Sequence, residues 1–258
     1  MLQVQQLQLQ LGHHVILQDI SFDTAPGSLS VIIGQNGSGK SSLLRCLSGW
    51  QVPTSGGVLY NEKSLYSVSS KERAALVSFL PQRPQLSESI PVIDIIAASR
   101  YRFFESHKKS RSVAQSLLER FDLMRFHDKD WYTLSGGEAQ RVALLCLHAQ
   151  DAKTWLLDEP ANHLDPSVQR QIYSEIVQEW QKERTVVLVT HNINLILGAV
   201  PRTEYHRVHI IGMQEGKIDF IHNLSEEKLL DRIGGLYRLP IQRINVFGRE
   251  QFVFGVPE

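Results

Sequence analysis

The chain has 258 residues, 42% hydrophobic and 21% charged, which suits one large domain or a domain with an inserted lobe. Its 27 Lys and Arg residues equal its 27 Asp and Glu residues, so it lacks the basic excess expected of a protein that binds nucleic acid in bulk. Its two cysteines do not have the pattern of a disulfide framework, so we expect a reducing compartment. No apolar run approaches the roughly 20 residues that span a bilayer, so we expect a soluble protein.

The N-terminal third predicts strands followed by a glycine-rich loop. Apolar residues recur at every second position around Leu7, Leu9 and Leu11 and again in Ile16–Phe22, which is typical of antiparallel strands with one buried face. Ser28–Gly34 is a short apolar run that predicts a buried strand. A helix is predicted next, with its leucines on one side, so strand, glycine loop and helix follow in the order that a phosphate-binding loop requires.

The rest of the chain alternates between strands and helices. Strands are predicted at Ala75–Gln82, Thr154–Pro160, Thr185–His191 and His206–Met213, and a long helix with an apolar face lies between the second and the third. Residues 83–150 have a helical pattern, in which the basic stretch 107–112 is expected to be a solvated loop and, less favoured, a contact patch. The alternation predicts an α/β fold with a parallel core and an inserted helical lobe.

The glycine loop fits the pattern G-x-x-x-x-G-K-[ST] at every fixed position. Glycines let backbone N–H groups approach phosphate oxygens, Lys40 is expected to reach the β- and γ-phosphates, and the Ser41 hydroxyl to bind Mg²⁺. The predicted phosphate-binding residues are Gly34, Gln35, Asn36, Gly37, Ser38, Gly39, Lys40, Ser41 and Ser42.

Polar side chains at strand ends predict the remaining catalytic groups. Asp158 and Glu159 follow three apolar residues, with Asp158 placed to hold Mg²⁺ and Glu159 placed to polarise an attacking water. His191 is interpreted as a γ-phosphate sensor, because strand ends in such a core converge on the nucleotide, and alternatively as a polar strand cap. The Gln82 amide is interpreted as a Mg²⁺ ligand that reports the γ-phosphate to the helical lobe, and alternatively as a turn residue.

A second phosphate-type motif, LSGGE at Leu134–Glu138, lies just before a helical run. The two glycines let backbone N–H groups come close to an anion, and the start of a helix adds partial positive charge. With this motif the chain resembles the nucleotide-binding subunit of ABC transporters along nearly its whole length. The motifs stand in that family's order: the phosphate loop Gly34–Ser41, Gln82, the signature Leu134–Glu138, the Asp158–Glu159 pair, the D-loop Asn162–Asp165 and the switch residue His191.

The resemblance implies a P-loop NTPase (RecA-like) core with an N-terminal antiparallel β subdomain and an inserted helical subdomain. It implies one ABC ATPase domain over residues 1–258, with the core in 1–82 and 151–258 and the helical subdomain in 83–150. It further implies an ATPase that uses ATP and Mg²⁺, with Glu159, His191 and Lys40 catalytic. Two copies are expected to pack head to tail, so that Ser135, Gly136, Gly137 and Asp165 complete the ATP site of the partner.

The same resemblance implies partners. We expect a homodimer on integral-membrane permease subunits, peripheral to the cytoplasmic side of the inner (plasma) membrane, with a periplasmic or surface substrate-binding protein in the complex and no nucleic acid. Asp94–Phe103 and the tail Leu236–Gly255, whose alternation predicts a hairpin, resemble importers of iron–siderophore, haem and vitamin B12. The alternatives are another importer, an exporter or a soluble non-transport ATPase; a ribosome-associated factor is disfavoured because the chain has one cassette.

One position departs from the family pattern. An aromatic residue that stacks on adenine is usual shortly before a glycine near the N-terminus, and here Leu11 precedes Gly12. His13 or His14 is the alternative stacking residue, and otherwise the base is held loosely.

Overall fold

The computed structural model describes residues 1–84, 88–162 and 164–255. The strands are β1 Leu2–Leu11, β2 His14–Thr24, β3 Leu29–Gly34, β4 Ser55–Tyr60, β5 Lys63–Ser64, β6 Val77–Leu80, β7 Thr154–Asp158, β8 Thr185–Val189, β9 Val208–Gln214, β10 Lys217–Asn223, β11 Ile241–Val246 and β12 Arg249–Phe254. The helices are α1 Lys40–Leu47, α2 Ser70–Leu76, α3 Val92–Ala98, α4 His107–Arg120, α5 Gly136–Gln150, α6 Pro166–Gln181, α7 Ile193–Ala199 and α8 Leu229–Tyr237.

A six-stranded sheet in the order β10-β9-β3-β8-β7-β6 forms the centre of the molecule. Five neighbouring strands run parallel, and β10 pairs antiparallel with β9 at one edge. Every residue of β3, β7 and β8 is buried, as expected for strands covered on both faces. Because these strands are parallel, their carboxyl ends bring Gly34, Asp158 and the residues after Val189 to one edge of the sheet, which confirms the predicted α/β core.

A four-stranded antiparallel sheet in the order β2-β1-β4-β5 lies beside the core. Its apolar residues pack in one cluster with the α1 leucines, including Leu43 and Leu47. The pairing of β1 with β2 shifts register after Val4, where Gln6 adopts a positive φ of 45°. Leu7 and Leu9 remain buried, whereas Leu11 at the end of β1 is 47% exposed.

Helices α3, α4 and α5 lie between β6 and β7 in the chain and pack on one another. The loop expected at residues 107–112 is wrong, because α4 begins at His107. The exposed Ser106 side chain caps this helix by accepting from the Lys109 N–H at 3.3 Å, and lysine and arginine are good helix formers. The strand predicted at Ala75–Gln82 is shorter than expected: α2 ends at Leu76 and β6 occupies Val77–Leu80.

The C-terminal region consists of α8 and a hairpin of β11 and β12. Ile241 pairs with Phe254 and Val246 with Arg249, around a turn at Phe247–Gly248, so the hairpin predicted from alternation is confirmed. Within the described residues, no helix combines the length and the apolar character needed to cross a membrane.

Candidate nucleotide site

The glycine loop connects β3 to α1 and has the backbone geometry that its glycines predict. Gly37 and Gly39 adopt φ values of 80° and 97°, in the left-handed region that favours glycine. A Cβ on Gly39 would lie 2.8 Å from the Leu17 side chain and 3.0 Å from the Ile16 carbonyl oxygen, so the loop fits closely against β2. The Lys40 Nζ donates to the Gly34 and Gln35 carbonyl oxygens, both at 2.9 Å, which holds the ammonium inside the loop.

A cavity of about 640 Å³ opens beside this loop. It brings together Lys40, Gln82, Glu159 and His191, which are up to 151 positions apart in the sequence (191 − 40). The described lining residues are Ile16, Asn36, Gly37, Gly39, Lys40, Ser41, Ser42, Gln82, Glu159, Asn162 and His191. Three side chains predicted separately from strand ends, Gln82, Glu159 and His191, therefore line one space together with Lys40 of the phosphate loop.

Glu159 is the centre of the polar contacts in this cavity. Its carboxylate accepts from the Gln82 Nε2 at 2.7 Å and from the Asn162 side chain, and the His191 Nε2 lies 2.5 Å from its second oxygen. The Glu159 side chain is only 9% exposed and its backbone has φ 49°, an uncommon conformation for a non-glycine residue. Its N–H donates to the Val189 carbonyl oxygen at 3.0 Å, which ties this turn to β8.

The carboxyl group of Asp158 lies deeper than that of Glu159. It is 3% exposed, and its Oδ1 has no hydrogen-bond partner among the described residues. Burial raises the pKa of Asp158, while a hydrogen bond with the Ser41 hydroxyl opposes the rise. A buried carboxylate oxygen that lacks a partner, next to a serine hydroxyl, is the kind of donor set that suits Mg²⁺. Ser41 and Asp158 therefore fit the ion that the sequence predicts.

Lys40 is buried as well. Burial lowers its pKa, and the nearby carboxylates of Glu159 and Asp158 oppose that shift. The side chain is 6% exposed, so the ammonium that the loop carbonyls hold lies out of bulk water, near two acidic groups.

The signature motif starts α5 and lies outside the described lining of this cavity. Ser135 is the N-cap and forms a capping box with Glu138, whose carboxylate accepts from the Ser135 N–H at 2.8 Å. Ser135 and Gly136 are exposed, and a Cβ on Gly136 would meet nothing within 4 Å. The first turn of α5 thus has open space at Gly136, on a surface outside the described lining of the cavity.

The structure describes part of the predicted D-loop, Asn162–Asp165. Asp165 is the N-cap of α6, with Pro166 at the first helical position, and Asn162 contacts Glu159. His163 lies outside the described residues. Asn162 was predicted as a member of the D-loop and not as a site residue, and its contact with Glu159 depends on the turn at φ 49°, which the sequence does not reveal.

Ile16 is a lining residue that the sequence analysis missed. It is the large apolar side chain among the described lining residues, and it lies on β2 against the phosphate loop. Leu11, His13 and His14 are exposed and lie outside that lining. The sequence carries no local signal for this, because alternation along β2 sends the side chains of Ile16 and Leu17 to opposite faces, and the approach of β2 to Gly39 is a tertiary contact.

Comparison with known proteins agrees with the geometry. The model of the ABC transporter family matches residues 17–162, and a model of an AAA domain matches residues 130–197. The petrobactin import ATP-binding protein FpuD of Bacillus anthracis is 32% identical over 75% of this chain and 73% of that protein. The hemin import ATP-binding protein HmuV of Hydrogenovibrio crunogenus is 30% identical over 94% of this chain and 95% of that protein.

Solved structures share the fold. An inward-facing ABC transporter assigned to the metal-chelate type matches with a TM-score of 0.79 and 23% identity over 99% of this chain and 97% of that chain. A dimeric ATP-binding cassette in a post-hydrolysis state with ADP and Pi matches with a TM-score of 0.74 and 24% identity over 88% of this chain and 100% of that chain. Since the family model covers more than half of the chain and relatives above 30% identity cover most of it, the chain belongs to the ABC transporter family and is an ATP-binding ATPase of that family.

Proposed function

We propose that this chain is the ATPase subunit of an ABC importer for a metal-chelate compound such as an iron–siderophore, haem or cobalamin. The observation that carries the ATPase chemistry is the cavity in which Lys40, Gln82, Glu159 and His191 meet beside the phosphate loop. The import direction and the cargo class are supported by the relatives, which include ATP-binding proteins named for import of petrobactin, hemin and iron(3+)-hydroxamate.

In this proposal the phosphate chain of ATP lies along the loop at residues 34–42, with N–H groups and the Lys40 ammonium facing its oxygens. Ser41 and Asp158 would hold Mg²⁺, and Gln82, which lines the same groove as both, is the third proposed ligand. When bound, the ion neutralises charge on the transferred phosphoryl group. Lys40 would exchange its present contacts with the loop carbonyls for the β- and γ-phosphates.

Glu159 is proposed to act as the general base on water. Its carboxylate is already oriented by Gln82 and His191, so it needs little reorganisation to accept a proton. His191 is proposed to exchange its contact with Glu159 for the γ-phosphate of ATP, which makes its position depend on whether that phosphate is present.

The ATP site is proposed to be completed by a second copy of the chain. Ser135 and Gly136 are exposed at the start of α5, Gly137 follows them, and the cavity of the same chain uses none of the three. A head-to-tail dimer would place this surface on the γ-phosphate in the partner's loop, with Asp165 beside it, and two-fold symmetry would then give two equivalent sites. ATP is then part of the interface, and its hydrolysis loosens the dimer.

The permease is proposed to contact the groove between the core and helices α3–α5. This groove, of about 740 Å³, includes Trp50, Phe79, Gln82 and Trp131 among its lining residues. Trp50 is 69% exposed, which leaves a large apolar surface for a partner. The groove also supports the proposed division into a core of residues 1–82 and 151–258 and a helical subdomain of residues 83–150. In this proposal the chain binds its permease from the cytoplasmic side of the membrane.

The segment Asp94–Phe103 resembles the importer group at Arg100 and Tyr101, whereas Ser99 and Arg102 stand where that group often has glycine and proline. Arg100 forms an ion pair with Glu105 and donates to the Ala149 carbonyl oxygen at 3.0 Å, while Arg102 donates to the Gln150 carbonyl oxygen at 2.7 Å. Both arginines thereby fix the chain after α3 to the C-terminal end of α5, where cations are favourable. This anchoring offers a reason for arginine at position 102, where the importer group often has proline.

Reconstitution of the chain with its permease in lipid vesicles tests the transport function. We expect ATP hydrolysis to be stimulated by a binding protein loaded with a siderophore, haem or cobalamin, and not by proteins loaded with an oxyanion, an amino acid or a sugar. The negative control is each binding protein without its ligand. Stimulation only by an amino-acid or sugar system, or export of a lipid, would contradict the metal-chelate assignment while leaving the ATPase unaffected.

Base selectivity is expected to be weak. Ile16 offers the adenine an apolar surface without the aromatic stacking that contributes about 1–3 kcal/mol per base. ATP and GTP should therefore be hydrolysed at rates within a few-fold of each other, measured as phosphate release at equal nucleotide concentration. His13→Ala and His14→Ala should leave this ratio unchanged, and a strong ATP preference that either variant abolishes would place the stacking ring on that histidine.

A further inference from the structure

We propose that Asn194 is a positioning residue for His191, which it serves by fixing the start of α7 to the C-terminal hairpin. The inference rests on the proposed role of His191 as the γ-phosphate sensor. Asn194 lies three residues after His191 and outside the described lining of the nucleotide cavity. It therefore acts on the reaction only through the position that it gives to its neighbours in the chain.

The side chain of Asn194 makes two hydrogen bonds with the backbone of one hairpin residue. Its Nδ2 donates to the Phe252 carbonyl oxygen at 3.0 Å, and its Oδ1 accepts from the Phe252 N–H at 2.8 Å. Phe252 is 1% exposed and packs in the main hydrophobic core, so the contact is anchored in the interior. An asparagine amide is the short side chain that offers a donor and an acceptor in this arrangement.

His191 stands between two anchored residues. On one side, the Tyr173 hydroxyl donates to the Thr190 Oγ1 at 2.6 Å within the core. On the other side, the Asn192 side chain caps α7 by accepting from the Asn194 N–H at 3.1 Å. The His191 side chain is 40% exposed, so its own packing contributes little, and the backbone on both sides determines where the imidazole lies relative to Glu159.

The hairpin also contacts the end of α7 and helix α8. The Arg249 Nη1 donates to the Gly198 carbonyl oxygen at 2.8 Å, near the end of α7, and the Phe254 ring packs edge-on against Tyr237 with centroids 5.5 Å apart. Tyr237 ends α8, and the neighbouring Leu236 carbonyl oxygen accepts from the Gln35 Nε2 of the phosphate loop at 3.2 Å. The hairpin is therefore in contact with both the His191 segment and, through α8, the phosphate loop.

Asn194→Ala in the full chain tests the inference by steady-state ATP hydrolysis. The substitution removes both contacts with Phe252 and leaves the backbone N–H that Asn192 caps. We expect kcat to fall about fivefold, less than the loss of two full hydrogen bonds would give because only part of their effect reaches His191, with an unchanged KM for ATP because the phosphate loop is intact. Asn194→Asp keeps the acceptor for the Phe252 N–H but sets a carboxylate oxygen against the Phe252 carbonyl oxygen, so it should also be slower than the unaltered chain.

The control is Asn245→Ala, which removes an exposed asparagine from the same hairpin and should leave kcat unchanged. Rates are normalised to the concentration of nucleotide-binding sites, so that a less stable variant is not mistaken for a slower one. A mere loss of stability would lower the melting temperature and the number of sites without changing the rate per site.

A double-mutant cycle separates this inference from the proposed function. In a His191→Ala background, Asn194→Ala should cause no further loss, because the residue through which it acts is gone. Additive losses, or a wild-type rate per site for Asn194→Ala, would overturn the inference while His191 keeps its role. If His191→Ala alone hydrolyses ATP normally, the sensor role fails and the positioning role fails with it.

Discussion

Glu159→Gln is expected to reduce ATP hydrolysis by about 10²–10⁴-fold, the contribution of a positioned general base, while ATP binding persists. The glutamine amide matches the carboxylate in size and still has an oxygen that accepts from Gln82. What it lacks is the basicity needed to take a proton from water. Because binding is intact and hydrolysis is blocked, the variant should accumulate as an ATP-bound dimer, detected by size-exclusion chromatography with and without ATP.

The matched control is Glu215→Gln. Glu215 is also a glutamate with φ 49°, but it is exposed in the turn between β9 and β10. Its replacement tests whether any loss comes from placing glutamine at a strained backbone position rather than from removing the base. Normal phosphate release by Glu159→Gln would rule out Glu159 as the base.

Ser135→Arg is expected to leave ATP binding to the single chain intact and to abolish ATP-dependent dimerisation. The exposed N-terminus of α5 would carry a bulky cation where the partner's γ-phosphate has to approach the backbone N–H groups. We expect hydrolysis to fall by about 10²–10³-fold, the effect of removing preorganised donors from a transition state. Calorimetry of ATP binding and the rate of phosphate release check the two halves of this prediction.

The matched control is Ser69→Arg. Ser69 is the exposed N-cap of α2 and forms the same capping box, with Glu72, that Ser135 forms with Glu138. Loss of the cap costs about 1 kcal/mol in either variant, so a difference in hydrolysis between them isolates the signature surface from helix stability.

Mixing Ser135→Arg with Lys40→Ala gives a sharper test of the head-to-tail arrangement. Lys40→Ala alone should lose ATP binding, because the ammonium that faces the phosphates is gone. In a mixed dimer one site carries both defects and the other carries neither, so random pairing should restore about one quarter of the sites at most. Normal hydrolysis by Ser135→Arg as a strict monomer would contradict completion of the site by a second chain.

The local sequence determined the main features of the fold. Short, largely apolar runs predicted β3, β7 and β8, because strands that are buried on both faces have no face exposed to solvent. The phosphate loop was predicted by its glycines and by Lys40, because its geometry is set by backbone freedom within eight residues. Alternation likewise predicted the C-terminal hairpin. Each of these signals acts between neighbours in the chain, which is why it can be read without the fold.

Other features were decided only by the tertiary structure. The sequence left Leu11, His13 and His14 as candidates beside the base, and it did not predict Ile16, which the packing of β2 on the glycine loop brings into the lining of the cavity. The contact of Asn194 with Phe252 joins residues 58 positions apart, and it could not be predicted because neither residue carries a local signal for the other. The helix over the basic stretch at residues 107–112 is a different case, because the Ser106 cap is a local signal that the sequence analysis missed. In the other two cases the outcome depends on which surfaces meet, and that is set by the free energy of the whole packed chain rather than by local conformational preference.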